Sequence, residues 1–142
     1  MSNNTRPLLL VGGVANLGVA LMHFVMPLDG ALAGTLAPLS PVAQSFVLLL
    51  VLAIGWCLAV FGALAILAAR SSMMPNEIAG YVALAQSILW FGRLALEIAL
   101  PVRLPLFGIA TPSPLVMALA TLLAAVFLAA HRQTRRASPD RR

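Results

Sequence analysis

Of 142 residues, 61% are hydrophobic and only 9% are charged, whereas a soluble domain carries about 25% charged residues. The composition therefore excludes an ordinary water-soluble fold and predicts a single domain, residues 1–136, that mostly faces lipid. The net charge of +5 does not indicate nucleic-acid binding, because five of the nine basic residues follow the last hydrophobic segment. A basic tail in that place is typical of a topology signal or a contact to anionic lipid headgroups.

Four segments are apolar enough to cross a bilayer as helices, which takes about 20 residues each. In chain order they are residues 8–26, 42–69, 77–100 and 114–130. Proline-containing stretches separate them, and Asn76 can cap the third helix. The sequence thus predicts an all-α integral membrane protein, a four-transmembrane-helix bundle, followed by a disordered basic tail at 137–142.

The first segment also has a competing interpretation as a cleaved signal peptide, with Arg6 as its positive charge. The segment is longer than the hydrophobic region of a typical signal. No small-x-small cleavage site precedes Pro27, although Ala31 to Ala33 offers one beyond it. We expect a retained helix.

Arginine placement predicts the orientation of the bundle. With both termini in the cytoplasm, the inner side carries Arg6, Arg70 and the five arginines of the C-terminal region. The outer side then carries only Arg103, which is the asymmetry expected of a multi-pass protein of the cell membrane. The connections at 27–41 and 101–113 face outward, where their apolar residues favour a cap at the membrane interface.

Small residues three or four positions apart recur in three spans and favour close helix packing in lipid. They are Gly12, Asn16 and Ala20 in the first span, Gly55, Ala59 and Ala63 in the second, and Ala118, Thr121, Ala125 and Ala129 in the fourth. Alanine-rich sequences also produce such stripes by chance, so these indicate only which faces look inward.

Polar side chains within the first and third spans are the candidate site, because an ionisable group at the centre of a span costs about 2.5–3.5 kcal/mol. Helical spacing places the polar residues of each span on one face. We expect them to converge in one outward-opening pocket with Asp29 and Arg103 at its mouth. The candidate ligand-binding residues are Asn16, His23, Gln86, Trp90, Arg93 and Glu97.

These residues favour a non-catalytic role, in which the pocket binds a lipophilic molecule such as a quinone, sterol, isoprenoid or lipid. Arg93 would contact its polar head, His23 and Gln86 would supply hydrogen bonds, and Trp90 would stack on it. The same face would instead serve an accessory subunit, docked onto a larger membrane complex or a second copy. Arg93 and Glu97, four residues apart, can also simply neutralise each other.

An alternative is a membrane-embedded enzyme of isomerase, cyclase or hydratase type, with Glu97 as acid or base and His23 as its partner. We rank this alternative second because the nearby Arg93 cation would keep the Glu97 carboxyl ionised. We predict no cofactor and no metal. The two histidines, His23 and His131, lie about a bilayer thickness apart, which argues against an intramolecular bis-histidine haem.

Overall fold

A computed structural model describes residues 5–71, 75–101, 106–107 and 109–136. Those residues form an all-helical fold without strands. Its helices are α1 (Thr5–Val25), α2 (Gly30–Leu36), α3 (Pro41–Arg70), α4 (Asn76–Ala99) and α5 (Ser113–Arg136). All of them except α2 are long and apolar enough to cross a membrane.

The long helices coincide with the four predicted segments and differ from them at the ends. Helix α1 begins at Thr5, and α5 continues to Arg136 rather than ending near residue 130. Arginine and glutamine are good helix formers, so the charged end of α5 stays helical after the apolar residues stop. The predicted basic tail at 137–142 and Arg103 lie outside the described residues.

The connection between α1 and α3 is folded. A 3-10 turn, Met26–Leu28, leads into α2, and Asp29 caps this helix by accepting a hydrogen bond from the Ala31 amide at 3.1 Å. Leu32 and Leu36 are buried, so part of the apolar surface of this connection packs inside the protein.

The four long helices form two antiparallel pairs. Helix α1 packs along α3, α4 packs along α5, and the pairs meet mainly through α1 and α5, with a smaller contact between α3 and α4. Helices α1 and α4 therefore lie diagonally across the bundle. Thr5 donates a hydrogen bond to Gln133 at 3.4 Å, which places the start of α1 and the end of α5 at the same end of the bundle.

Two glycines bring the backbones of α1 and α3 into contact. A Cβ on Gly13 would lie 2.8 Å from the carbonyl oxygen of Gly62, and a Cβ on Gly62 would lie 2.8 Å from that of Gly13. Any larger residue would push the helices apart. Such close approach matters in lipid, where helices gain little from the hydrophobic effect and associate through packing.

The buried faces agree with the predicted stripes in one helix and not in two others. The stripe of α1 is confirmed, but in α3 Ala63 is exposed while neighbouring Gly62 is buried. In α5, Ala118, Thr121 and Ala125 are exposed, and the buried face runs through Ala120, Leu123, Ala124, Phe127, Ala130 and Thr134. A strict spacing of four drifts by about 40° per step around the helix, and the larger Phe127 sets the buried side.

Candidate functional site

Three polar side chains near the middle of α1 and α4 bond to one another. The Asn16 side-chain amide donates to Gln86 Oε1, and Trp90 Nε1 donates to Asn16 Oδ1 at 2.9 Å. All three residues are buried. These hydrogen bonds join α1 to α4 across the diagonal of the bundle, so they lie at its centre.

Gln86 extends this network to a third helix. Its Nε2 donates to the backbone carbonyl of Phe61 in α3 at 2.6 Å. The central network, defined as Asn16, Gln86, Trp90 and the Phe61 carbonyl, thus links α1, α3 and α4. An unpaired amide in an apolar interior is costly, and here each side-chain amide finds its partner within the protein. The predicted inward orientation of these residues is confirmed, and their role in ligand binding stays a prediction.

Toward the C-terminal end of α4, Arg93 and Glu97, four residues apart, form an ion pair. Arg93 Nη2 lies 2.5 Å from Glu97 Oε2. The Glu97 side chain is fully buried, while the Arg93 side chain is 34% exposed. Gln86 and Trp90, on the same face of α4, are buried. A molecule outside the bundle can therefore reach Arg93 but not these two side chains.

If α4 spans a membrane, the depth of Arg93 suits a contact at the membrane interface. Helix α4 has 24 residues and is about 36 Å long, slightly longer than a hydrocarbon core of about 30 Å. Arg93 precedes Ala99, the last residue of α4, by about 9 Å along the axis. In a centred helix its Cα lies about 6 Å inside the core, which an arginine side chain can span to reach headgroups.

His23 lies at the C-terminal end of α1 and bonds within its own helix. Its Nδ1 is 2.8 Å from the Val19 carbonyl oxygen, and this hydrogen bond fixes the ring. The half-buried side chain packs against α3, where a Cβ on Gly55 would lie 3.1 Å from the His23 Cβ. His23 therefore faces the α1–α3 side, whereas Glu97 belongs to α4.

Asp29 links the connection between α1 and α3 to the connection between α4 and α5, a role that its position in the sequence did not suggest. Besides capping α2, its second carboxylate oxygen accepts the Phe107 amide at 2.9 Å. Phe107 adopts a left-handed backbone with φ of 51°, which is unfavourable for a residue with a side chain. The carboxylate therefore offsets local strain. The N-cap could have been predicted from the Asp-Gly-Ala sequence, but the contact to Phe107 spans 78 residues and has no local signal.

At the opposite end of the bundle, His131 connects α5 to α4. Its Nδ1 lies 2.9 Å from the Gly80 carbonyl oxygen. About two helical turns nearer the middle of the bundle, Ser87 donates to the Ala124 carbonyl at 3.2 Å. Thr134 approaches so closely that a Cβ on Gly80 would lie 2.7 Å from its hydroxyl. Sequence reasoning considered His131 only as a haem ligand and missed this packing role.

Among the residues that the structure describes, no group of three or more His, Cys, Asp or Glu side chains could hold a metal ion. No protein-family model, curated protein or solved structure matches the chain. Function must therefore be inferred from the geometry of the site itself.

Proposed function

We propose that the chain is a multi-pass protein of the cell membrane that crosses the bilayer four times, with both termini in the cytoplasm. Four apolar helices of sufficient length support the crossings. The shared position of the first and last helical ends supports an even number of them. The concentration of arginine at that end supports its assignment to the cytoplasm.

We further propose that this protein binds a lipophilic molecule with a polar head at Arg93. The observation that carries the proposal is the pairing of a one-third-exposed guanidinium with a fully buried carboxylate inside a membrane-length helix. Glu97 holds the guanidinium in place and neutralises its charge, which lowers the cost of keeping it near the apolar core. The exposed part of the Arg93 side chain leaves donors available to a further acceptor.

The chemistry of Arg93 defines the head of the ligand. A guanidinium offers five donors in a planar fork and no acceptor, so the head must accept hydrogen bonds, as a quinone carbonyl, a sterol or isoprenoid oxygen, or a lipid phosphate does. The body of the ligand must be apolar, because the exposed side chain beside Arg93, one turn further along α4, is the hydrophobic Leu96. The same exposed surface would accept a partner helix if the protein is a subunit of a larger membrane complex.

The central network serves this site as a rigid support. Trp90 lies one turn below Arg93 on α4 and is fixed through Asn16 to α1. In the structure, the side-chain amides of Asn16 and Gln86 bond to each other and to the Phe61 carbonyl. A ligand would therefore contact Arg93 first, and would reach Gln86 or Asn16 only by replacing one of these hydrogen bonds.

A membrane-embedded enzyme remains the second candidate, favoured by the location of His23 and Glu97 near the outer ends of α1 and α4. A fully buried carboxylate suits proton transfer to an apolar substrate because water is excluded. The ion pair with Arg93 works against this role, since Arg93 stabilises the ionised form of Glu97. Binding without chemistry therefore agrees better with the geometry.

Native mass spectrometry of the protein in mild detergent, with extraction of the molecules that travel with it, tests the proposal. Wild type should carry a stoichiometric lipophilic molecule. Arg93→Gln combined with Glu97→Gln, which removes the site while leaving no unpaired charge, should lose it. Arg70→Gln, which removes one positive charge at the other end of the bundle, is the control and should retain it.

Each result separates the candidates. A wild-type protein without a lipophilic ligand contradicts the binding role, and a co-purified protein partner in its place supports the accessory-subunit alternative. Two chemical forms of one molecule on wild type, but a single form on Glu97→Gln, would indicate turnover and favour the enzyme.

A further inference from the structure

We propose a second binding site, for one anionic phospholipid, on the outer surface of α5 at the cytoplasmic end of the bundle. It is separate from Arg93, which lies toward the opposite end. The inference rests on the proposed membrane placement but does not require a ligand at Arg93.

The site, called the groove below, is an open strip along one face of α5, with a volume of about 360 Å³. The described residues that line it are Ala125, Leu128, Ala129, Arg132, Gln133 and Arg136. Their order along α5 follows the order of parts in a phospholipid. The apolar residues lie on the side of the bilayer centre, where an acyl chain would run, and the two arginines lie about 5–10 Å farther out, where the phosphate would be.

The orientation of α5 turns this groove toward lipid. The opposite side of the helix is anchored to the bundle through buried Phe127, Ala130 and Thr134. The groove includes Arg132 and Arg136, one helical turn apart and both exposed. Gln133 is tied to Thr5 of α1, which fixes the edge of the groove. Because the strip belongs to a single helix, it needs little ordering before it binds.

Charge complementarity specifies the headgroup. Within the part of the chain that the structure describes, neither Arg132 nor Arg136 forms an ion pair. The same end also carries Arg6, Arg70 and Arg135, and among the described residues only Glu77 opposes them there. Guanidinium groups bind phosphate through paired hydrogen bonds, and basic pockets on the cytoplasmic side of membrane bundles suit anionic headgroups.

The apolar half of the groove distinguishes a lipid from other anionic partners. An acidic peptide or a nucleic acid in the cytoplasm could reach the arginines but could not fill the space beside Ala125, Leu128 and Ala129, which lies at membrane depth. An amphiphile with a negatively charged head matches both halves. We therefore assign the groove to a phospholipid of net negative charge, such as one with a glycerol headgroup.

Native mass spectrometry of the full chain, titrated in detergent with phosphatidylglycerol or with phosphatidylcholine of the same acyl chains, tests the assignment. Wild type should bind one phosphatidylglycerol in preference to phosphatidylcholine. Arg132→Gln combined with Arg136→Gln should weaken phosphatidylglycerol binding about 30-fold, as expected for two arginines at a phosphate. Arg70→Gln combined with Arg135→Gln removes the same charge outside the groove and should weaken binding less than about threefold.

A second pair of variants tests the apolar half without changing charge. Ala129→Phe fills the groove and should weaken binding of phosphatidylglycerol, whereas Ala63→Phe, at an exposed position of α3 equally far from its helix end, should leave it unchanged. Equal losses in the two arginine pairs would overturn the site and indicate a diffuse charge effect. Equal affinity of wild type for the two lipids, or no effect of Ala129→Phe, would also overturn it. Loss of the Arg93 ligand alone would leave this site standing.

Discussion

Replacing Asn16 with leucine tests whether the central network stabilises the bundle. Asn16 both donates to Gln86 and accepts from Trp90, so the change breaks both hydrogen bonds that cross between α1 and α4. It leaves Gln86 Oε1 and the Trp90 N–H facing an apolar interior. The helices remain apolar enough to insert, so the expected effect is on stability rather than on membrane integration.

The magnitude follows from the two bonds lost. Side-chain hydrogen bonds between helices in a membrane contribute about 0.6 kcal/mol on average and up to about 1.7 kcal/mol. Two of them give a loss of about 1–3 kcal/mol in the free energy of unfolding. Replacing both Asn16 and Gln86 with leucine should recover part of this loss, because the double variant no longer leaves the Gln86 amide unpaired.

Unfolding in mixed micelles, as the fraction of denaturing detergent rises, measures this free energy. Thr121→Leu is the matched control, since it makes a similar polar-to-apolar change at an exposed hydroxyl that bonds within its own helix, to the Met117 carbonyl. The control should shift the midpoint little. A loss below about 0.5 kcal/mol in Asn16→Leu would refute the stabilising role of the network. So would a double variant that loses more free energy of unfolding than the two single variants lose together.

Three further results are expected. Gly13→Ala should lower the free energy of unfolding in the same micelles by about 1–3 kcal/mol, because its Cβ would collide with the backbone of α3. Gly18→Ala is the control: its Cβ would have nothing within 4 Å, so stability should stay equal or rise slightly. Equal losses in the two variants would contradict the close approach of α1 and α3. Glu97→Gln should lower the free energy of unfolding by about 1–2 kcal/mol, less than the 3–5 kcal/mol typical of breaking a fully buried pair, because Arg93 is partly exposed. Adding Arg93→Gln should restore most of the lost stability. If it does not, the pair does more than neutralise charge. Asp29→Ala should speed amide hydrogen exchange in α2 and in the last outer connection about tenfold, measured by mass spectrometry, and unchanged exchange in either segment would contradict the link between them.

Sequence reasoning predicted the fold well where a single helix decides the outcome. Apolar length identifies the four long helices, and helical spacing alone places Gln86, Trp90 and Glu97 on the buried face of α4. The ion pair of Arg93 and Glu97 is local for the same reason. Each of these features depends on residues less than about three turns apart.

The features that sequence reasoning missed depend on how separate helices meet. Nothing near Asn16 indicates that its partners are 70 and 74 residues away, although a buried amide in a span does require some partner. Likewise, Phe127 determines which side of α5 is buried because it fits over Gly12, where a Cβ would lie 2.6 Å from its ring. A stripe of small residues cannot show which large side chain on another helix will occupy it.

Labelling of single cysteines in intact cells tests most directly whether the bundle crosses the membrane as proposed. In a Cys57→Ser background, Thr111→Cys lies at the proposed outer end and Ser71→Cys at the cytoplasmic end. A membrane-impermeant maleimide should label Thr111→Cys in intact cells and should label Ser71→Cys only after permeabilisation. The opposite pattern would invert the orientation, and labelling of both positions in intact cells would contradict the four-span arrangement itself.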